Sequence, residues 1–254
     1  IKLDGGSVSE SAEAGTLVGK LYTSDADKGD SHTYELVDAK GNAIKDSNFA
    51  IKDNVIVVRD GNSLDYETAS SQTLFVKTTD KAGASYLEEI AIRIDDANDA
   101  PTAIRFDGGS VNESAEPGSI VGKLYTSDAD KVDSHTYQLV DAKGNAVKDP
   151  NFIIKDNLIV VRDGHSLDYE TISSQTLFVK TTDKAGTSYI EEIAIRIDDA
   201  NDAPTVIKLD GGSISESAEP GTVVGKLYTS DADKGDDHRY QLVDAKGNAV
   251  EDPN

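Results

Sequence analysis

Ile90-Ala91-Ile92-Arg93-Ile94 alternates large apolar side chains with small or charged ones, residue by residue. Successive side chains of a β-strand point to opposite faces, so this alternation predicts a strand with one buried face. The same five residues return 103 positions later as Ile193-Ala194-Ile195-Arg196-Ile197. The pattern and its recurrence together predict an all-β domain that is repeated along the chain.

The recurrence covers the whole chain. Residues 1–101 return as 104–204 with sixteen changes, and a third copy begins at Ile207 and stops at Asn254. A period near 100 residues exceeds the roughly 20–50 residues of solenoids and propellers, so each copy is predicted to be a small domain. We expect repeat 1 at 1–102, repeat 2 at 103–205 and the N-terminal half of repeat 3 at 206–254. Because the chain stops within a repeat, we expect it to be a segment of a longer protein.

Each repeat carries further strand and turn signals. Short apolar runs predict strands at 7–11, 16–22, 32–37, 49–51, 55–58 and 74–77, besides the one at 90–94. Clusters of Gly, Asn and Asp predict turns at 4–6, 39–42, 53–54 and 59–61. About seven short strands in about 100 residues are typical of an Ig-like sandwich, so we expect tandem seven-stranded Greek-key β-sandwiches in a linear array. Tyr22, Tyr34, Tyr66 and Tyr86 recur at the same spacing, which predicts that they pack inside the domain.

The composition excludes several classes of partner. The chain has 47 acidic and 25 basic residues and a formal charge of −22, which argues against nucleic acid and anionic membrane surfaces. No apolar run approaches the length of a membrane span, so no direct membrane insertion is expected. Small extracellular domains often gain stability from disulfides or metals. Because the chain has no cysteine, metal is the stabiliser available to it.

The acidic residues form short motifs that recur in order. Repeat 1 has Glu10, Asp25 and Asp27, Asp65 and Glu67, Asp80, and finally Asp96, Asn98 and Asp99 before a proline; repeat 2 has Glu113, Asp128 and Asp130, Asp168 and Glu170, Asp183, and Asp199, Asn201 and Asp202. Two carboxylates at i and i+2 of an extended chain point to the same side and can hold one ion. Hard oxygen donors of this kind suit Ca²⁺.

In this order the motifs resemble those of the cadherin repeat: a Glu in the first strand, D-x-D, L-D-x-E, a later Asp, and D-x-N-D before a proline at the repeat end. The resemblance covers both complete repeats. It implies about three Ca²⁺ at each complete junction between repeats. For the first junction the implied ligands are Glu10, Asp65, Glu67, Asn98, Asp99, Asp128, Asp130 and Asp183. For the second they are Glu113, Asp168, Glu170, Asn201, Asp202, Asp231 and Asp233.

The remaining acids of these motifs have secondary roles in this interpretation. Asp96 and Asp199 open the linker motifs and either orient them or bind directly, while Asp25, Asp27 and Asp80 are additional candidates in repeat 1.

The first junction gathers seven carboxylates, and like charges 4 Å apart repel by roughly 4 kcal/mol at an effective dielectric near 20. Three Ca²⁺ would bring six positive charges and so nearly neutralise the seven carboxylates. We therefore expect the cluster to bind metal.

Other interpretations of the acids are weaker. Asp65 and Glu67 could be a glycosidase pair, but the short loops form no pocket, so no enzyme is expected. An EF-hand starting at Asp25 fails because its twelfth position is Leu36 rather than Glu.

The favoured function is a calcium-dependent rigid extender in a large extracellular adhesin. Near-identical repeats without disulfides resemble bacterial cadherin-like adhesins, such as those of biofilms. The expected partners are the neighbouring repeats. Two alternatives stay open: a module that binds cell-surface or matrix polysaccharide, and homophilic contact with another copy of the array.

Overall fold

The fold consists of β-strands joined by short turns. A computed structural model of the chain describes residues 1–60, 64–162 and 167–250. Repeat 1 contains β1 (Lys2–Gly5), β2 (Ser7–Ser9), β3 (Leu17–Tyr22), β4 (Thr33–Val37), β5 (Phe49–Lys52), β6 (Val55–Val58), β7 (Ser71–Thr79) and β8 (Ser85–Asp95). Among these described residues there is no helix, and hence none that is long and apolar enough to cross a membrane.

Repeat 2 has the same order of strands. They are β9 (Ala103–Gly108), β10 (Ser110–Asn112), β11 (Ile120–Ser127), β12 (Thr136–Val140), β13 (Phe152–Lys155), β14 (Leu158–Val161), β15 (Ser174–Thr182) and β16 (Ser188–Asp198). The third copy contributes β17 (Val206–Gly211) and β18 (Gly225–Ser230), paired as a two-stranded antiparallel sheet. The predicted all-β class is therefore confirmed.

Each complete repeat is a sandwich of two four-stranded sheets. In repeat 1 the orders are β1-β3-β6-β5 and β2-β8-β7-β4. The connections from β3 to β4, β4 to β5 and β6 to β7 pass from one sheet to the other, as in a Greek key. Repeat 2 has the equivalent sheets β9-β11-β14-β13 and β10-β16-β15-β12.

The strand count differs from the prediction, because a strand at Lys2–Gly5 precedes the first predicted strand at 7–11. β1 pairs antiparallel with β3, whereas β2 pairs parallel with β8, which gives eight strands in repeat 1 rather than seven. Asp4-Gly5-Gly6, predicted to be a turn, is the crossing point. Gly5 has φ 109°, and a Cβ on it would lie 2.6 Å from the Val18 carbonyl oxygen, so only glycine fits where the chain changes sheets.

The core lies between the sheets and explains the alternation of β8. Ile90, Ile92 and Ile94 are buried and meet residues of the opposite sheet such as Phe49 and Ile56. Repeat 2 buries an equivalent set that includes Phe152, Ile159 and Ile195. Burying one of these side chains contributes about 1.5–3 kcal/mol relative to leaving it exposed.

The predicted hairpin at 53–54 is confirmed. β5 and β6 pair from Phe49 opposite Val58 to Lys52 opposite Val55, which leaves Asp53 and Asn54 as the two-residue loop. Asp53 has φ 55°, the left-handed conformation that such turns require and that Asp tolerates well. The predicted turn at 59–61 reaches residues outside the described part of the chain, as do the last four residues of the predicted third repeat.

The recurring tyrosines do not all pack inside the domain, so that prediction is wrong for two of them. Tyr34 and Tyr66 are partly buried against the core. Tyr22 and Tyr86 have 46% and 58% of their surface exposed. Tyr22 follows buried Leu21 at the end of β3, where the alternation of the strand turns it outward.

The chain divides into two compact units. Unit 1 comprises Ile1–Pro101 with two loops from repeat 2, Asp128–Ser134 and Asp183–Thr187. Unit 2 comprises Thr102–Ser127, His135–Thr182 and Ser188–Asn254. Every predicted ligand of the first acidic set therefore belongs to unit 1, and every predicted ligand of the second set belongs to unit 2.

Candidate metal centres

Glu10 organises the acidic cluster of unit 1. It follows β2, and its side chain is buried, with 8% of its surface exposed. One carboxylate oxygen accepts a hydrogen bond from the Tyr66 N–H at 2.6 Å, and the other accepts one from the Ala97 N–H at 2.8 Å. A single buried carboxylate thus holds both the L-D-x-E loop and the linker motif.

The L-D-x-E loop brings two further carboxylates to Glu10. Oxygen atoms of Glu10, Asp65 and Glu67 lie within 4.8 Å of one another. Asp65 accepts hydrogen bonds from the Thr68 N–H and hydroxyl at 2.8 and 2.9 Å, which fixes its side chain. A second trio of oxygens within the same limit comes from Glu67, Asp96 and Asp130, so Glu67 belongs to both groups.

The linker motif contacts the two loops of repeat 2 that belong to unit 1. The Asp99 N–H donates to Asp130 at 2.8 Å, and the Asp130 N–H donates to Asp128 at 3.1 Å. The Asn98 amide nitrogen donates to Asp183 at 3.0 Å. A hydrogen bond through the amide nitrogen is compatible with ligation of a cation through the amide oxygen.

Asp183 is an ionised carboxylate held in a buried position, with 6% of the residue exposed. Burial alone would raise its pKa. Hydrogen bonds from the side chains of Thr187 and Asn98, and from the backbone of Thr187 and Gly186, outweigh that effect and lower the pKa to about 2. Asp183 therefore carries its negative charge at neutral pH.

Three other acids of the cluster, Asp99, Asp96 and Glu67, have pKa values shifted in the opposite direction. Burial, followed by the charge of Glu10 and then that of Asp130, raises the pKa of Asp99. Burial and the same two carboxylates raise the pKa of Asp96, and burial followed by Glu10 raises that of Glu67. Because these carboxylates repel one another, the binding of a cation between them is favourable.

Unit 2 contains the same arrangement around Glu113. Its carboxylate accepts hydrogen bonds from the Tyr169 N–H at 2.6 Å and the Ala200 N–H at 2.8 Å. Oxygens of Glu113, Asp168 and Glu170 lie within 4.8 Å of one another. The Asp202 N–H donates to Asp233 at 2.6 Å, and the Asp233 N–H donates to Asp231 at 3.2 Å.

The linker acids of unit 2 repeat the electrostatics of unit 1. Burial, and then the charges of Asp233 and Glu113, raises the pKa of Asp199, and burial followed by Glu113 and Asp233 raises that of Asp202. Asn201 directs its amide nitrogen to the Asp202 carbonyl oxygen at 2.7 Å. The second predicted set therefore repeats the hydrogen bonds of Glu113 and Asp202 and one trio of carboxylates, while the late Asp has no counterpart in the sequence.

The additional candidates in repeat 1 are only partly brought together. Oxygens of Asp25 and Asp80 lie within 4.8 Å of each other and of Asp30, which the sequence motifs did not include. Asp27 is not part of that trio; its N–H donates to Asp25 at 3.0 Å. The equivalents of Asp30 are Asp133, which accepts from the Lys184 N–H at 3.4 Å, and Asp236, whose charge helps to raise the pKa of Asp199.

The chemistry of the donors fits Ca²⁺. All the side-chain donors of the two clusters are carboxylate or amide oxygens, which Ca²⁺ binds in groups of six to eight. Zinc sites prefer His and Cys, and the predicted ligands include neither. The clustered carboxylates would hold the ion and the ion would neutralise their mutual repulsion.

Comparison with curated proteins finds relatives that match most of this chain. No protein-family model matches the chain. Among curated proteins it is similar to Protein dachsous of Drosophila melanogaster, with 31% identity over 245 residues that make up 90% of this chain and 7% of that protein. It is also similar to Cadherin EGF LAG seven-pass G-type receptor 1 of Mus musculus, with 29% identity over 258 residues that make up 96% of this chain and 8% of that protein. The chain therefore spans only a small part of each relative.

Comparison with solved structures also finds cadherin domains. Protocadherin Gamma B7 extracellular cadherin domains 1-4 match with a TM-score of 0.65 and 26% identity, over 90% of this chain and 57% of that one. The chain consists of cadherin-like repeats. Human CDH23 EC21-23 matches these repeats in fold, with a TM-score of 0.58 and 20% identity over 90% of this chain and 77% of that one.

The cadherin-like repeats are extracellular modules and not an enzyme. The relatives are cadherins and protocadherins, and the matching solved segments are extracellular domains. The predictions of a non-enzymatic chain and of an extracellular location are thereby confirmed. The relatives reported above come from animals, so they lend no support to a bacterial origin.

Proposed function

We propose that the chain is a calcium-dependent rigid extender of a large extracellular adhesin. The observation that carries the proposal is the buried Glu10 carboxylate, which holds the L-D-x-E loop and the linker motif beside Asp130. Glu113 repeats this arrangement in unit 2. Calcium bound there would join each linker to the sandwich before it and to loops of the repeat that follows.

The proposed ligands of each site are the predicted sets. For the first junction these are Glu10, Asp65, Glu67, Asp96, Asn98, Asp99, Asp128, Asp130 and Asp183. For the second they are Glu113, Asp168, Glu170, Asp199, Asn201, Asp202, Asp231 and Asp233. Asp25, Asp27 and Asp80 are additional ligands in repeat 1, and Asp30 joins Asp25 and Asp80. Each complete junction would take about three Ca²⁺ between domains bounded at 1–102, 103–205 and 206–254.

Within this proposal, the mechanical role follows from charge. Without cations, the clustered carboxylates repel one another and the linkers are free to bend. With cations, ligands from both sides of a linker hold one geometry. Extracellular calcium modules bind with a Kd of about 10⁻⁴–10⁻³ M, so these sites would fill outside cells. The near-identity of the repeats and the lack of cysteine support the further proposal of a bacterial adhesin, as in biofilms.

A second candidate function is homophilic contact between arrays. One of the similar solved structures is the protocadherin gammaB7 EC3-6 cis-dimer, which matches with a TM-score of 0.56 and 22% identity. That likeness supports the fold of the repeats, and the dimer formed by that protein motivates a test of self-association. Sedimentation with calcium and with chelator would show whether the chain dimerises.

Small-angle scattering tests the extender directly. We expect the maximum dimension to be larger and better defined in millimolar calcium than in excess chelator. Glu10→Gln should shift this transition to higher calcium, because a neutral amide replaces a ligand. Glu13→Gln, which removes the same charge at an exposed position, is the matched control. An envelope unchanged by calcium would contradict the proposal.

A further inference from the structure

One histidine recurs in the acidic loop of every repeat. His32, His135 and His238 each lie seven residues after the first aspartate of a D-x-D motif. In His32 and His238 only 12% and 22% of the side chain are exposed. None of the proposed ligand sets includes these histidines. A polar side chain that is largely covered is normally held by a hydrogen bond, and its partner indicates what it does.

The partner is the first aspartate of the motif. His32 Nε2 lies 2.9 Å from Asp25 Oδ2. His238 Nε2 lies 2.8 Å from Asp231 Oδ2, and only 4% of that aspartate side chain is exposed. An ionised carboxylate only accepts hydrogen bonds, so the Nε2 nitrogen carries a proton and is the donor.

The other oxygen of each aspartate is held by the backbone. The Asp27 N–H donates to Asp25 Oδ1 at 3.0 Å. In repeat 3 the Asp233 N–H donates to Asp231 Oδ1 at 3.2 Å. A carboxylate has about four lone-pair sites, so one on each oxygen remains for a cation. The histidine thus fixes how the carboxylate is turned and leaves room for an ion.

A second contact closes the same loop nearer the core. The Tyr34 hydroxyl lies 3.0 Å from Thr23 Oγ1, which in turn lies 3.1 Å from Thr78 Oγ1. The threonine comes two residues before the aspartate, and the tyrosine comes two residues after the histidine. Because Thr23 directly follows β3 and Tyr34 lies in β4, this contact joins strands of opposite sheets beneath the loop.

Repeats 2 and 3 have the same contact at the base of the loop. The Thr126 hydroxyl donates to the Tyr137 hydroxyl at 2.8 Å. The Thr229 hydroxyl donates to the Tyr240 hydroxyl at 2.8 Å. The described part of repeat 3 has no strand equivalent to β4, yet both the tyrosine and the histidine contacts form there. The two contacts therefore hold the loop without a neighbouring strand.

We propose that the recurring histidine is a positioning residue for calcium, which holds the first aspartate of D-x-D in the orientation that the ion requires. This inference rests on the proposed function, in which Asp231 is a ligand of the second junction and Asp25 an additional ligand. The histidine acts through the aspartate and is not itself a ligand, because Ca²⁺ takes oxygen donors and Nε2 is already bonded.

The benefit to binding is a smaller loss of conformational freedom. Six residues separate the aspartate from the histidine, and ordering such a loop costs entropy. A loop that its own hydrogen bonds close loses less freedom when the ion binds, so it binds more tightly. Removing the group that orients a metal-binding side chain typically weakens metal affinity by about 10–100-fold.

The test replaces the histidines together in the whole chain. One variant combines His32→Leu, His135→Leu and His238→Leu, which removes every polar atom of the side chain. A second changes all three to glutamine, whose amide nitrogen reaches the place of imidazole Nε2. A third changes them to asparagine, whose shorter amide corresponds to Nδ1 instead. Measurements at pH 8, where imidazole is neutral, keep the net charge the same in all variants.

His165→Asn is the matched control. His165 lies outside the described residues, and repeat 1 has Asn62 at the same position. The control therefore removes an imidazole and installs a residue that the repeat already carries there. It should bind calcium like wild type.

Calorimetric titration with calcium chloride measures the affinity. The leucine and asparagine variants should bind calcium about tenfold more weakly than wild type, and the glutamine variant should bind like wild type. ¹⁵N NMR in excess chelator measures the hydrogen bond itself, without metal. The imidazoles of wild type should carry their proton on Nε2, since the bonded nitrogen sets the tautomer.

The outcomes separate this role from the proposed function. Calcium uptake by wild type with equal affinity in the leucine variant, or equal losses in the glutamine and asparagine variants, would overturn the role of the histidine alone. Imidazoles protonated on Nδ1 would overturn it as well. A lack of calcium uptake by wild type would overturn the proposed function and this role with it. If the histidine only stabilised the fold, the leucine variant would melt lower in chelator while its calcium affinity stayed at the wild-type level.

Discussion

Asp99→Asn is expected to change the stability of unit 1 in opposite directions with and without calcium. Asp99 is half-buried, and burial followed by the charges of Glu10 and Asp130 raises its pKa. Asparagine keeps the size of the side chain and removes its charge. Two like charges 4 Å apart repel by about 1 kcal/mol in water-like surroundings. In chelator at low ionic strength, the variant should therefore gain up to about 1 kcal/mol.

In calcium the same substitution removes a proposed ligand. At a calcium concentration a hundredfold above Kd, one site stabilises the bound state by about 2.7 kcal/mol. A tenfold weaker site would contribute about 1.4 kcal/mol at the same concentration. The variant should thus lose about 1.3 kcal/mol in calcium, where the repulsion is already neutralised.

Thermal melts followed by circular dichroism measure both effects. A change of 1 kcal/mol shifts the Tm of a domain of this size by about 4–8 °C. Asp99→Asn should melt above wild type in chelator and below it in calcium, and calorimetric titration should show weaker calcium binding. Glu13→Gln, an exposed acid outside the cluster, should change neither Tm by more than a small amount. Equal destabilisation of Asp99→Asn under both conditions would refute the reasoning.

Further predictions concern the core, a turn and a glycine. Phe152 is fully buried, so Phe152→Ala should lower the free energy of unfolding by about 3–5 kcal/mol in urea titrations, and a loss below about 1 kcal/mol would contradict the assigned core. Hydrogen bonds from the Asn42 side chain and then its backbone lower the pKa of Asp38 below 3.8. The stability from Asp38 should be complete above that value and lost as the pH falls through the lowered pKa; acid unfolding of Asp38→Asn should lack this contribution, and an identical acid-unfolding curve for both proteins would exclude it. A Cβ on Gly122 would lie 2.5 Å from the Phe106 ring, so Gly122→Ala should lower the Tm, with an unchanged Tm as the contradictory result.

The sequence predicts the regular strands well, because their patterns are local. The alternation at Ile90, Ile92 and Ile94 and the Asp53 turn both appear in the structure where they were expected. Strand β1 was missed because Asp4, Gly5 and Gly6 are typical of a turn. The role of Gly5 depends on the close approach of β3, which leaves no signal in the sequence around Gly5 itself.

The candidate sites depended on more than local patterns. Glu10 and Tyr66 are 56 residues apart, and only the order of the motifs, through the cadherin resemblance, predicted that they would meet. Asp30 was missed because it lies outside the D-x-D pair, although it occurs in the same loop. Tyr22 was wrongly predicted to be buried. Its recurrence at a regular spacing indicates that the tyrosine has the same surroundings in each repeat, but it does not distinguish the core from the surface.

The hydrogen bond from the Ala97 N–H to Glu10 has a consequence for the entropy of ion capture. It ties the beginning of the linker to a buried carboxylate through a contact within the protein itself. Ordering a backbone residue costs about 1–2 kcal/mol, so every linker residue already held in place lowers the conformational cost of coordination. The hydrogen bonds of Asn98 and Asp99 to Asp183 and Asp130 extend this restraint along the linker, which would allow weakly binding ions to hold it within their ordinary extracellular concentration range.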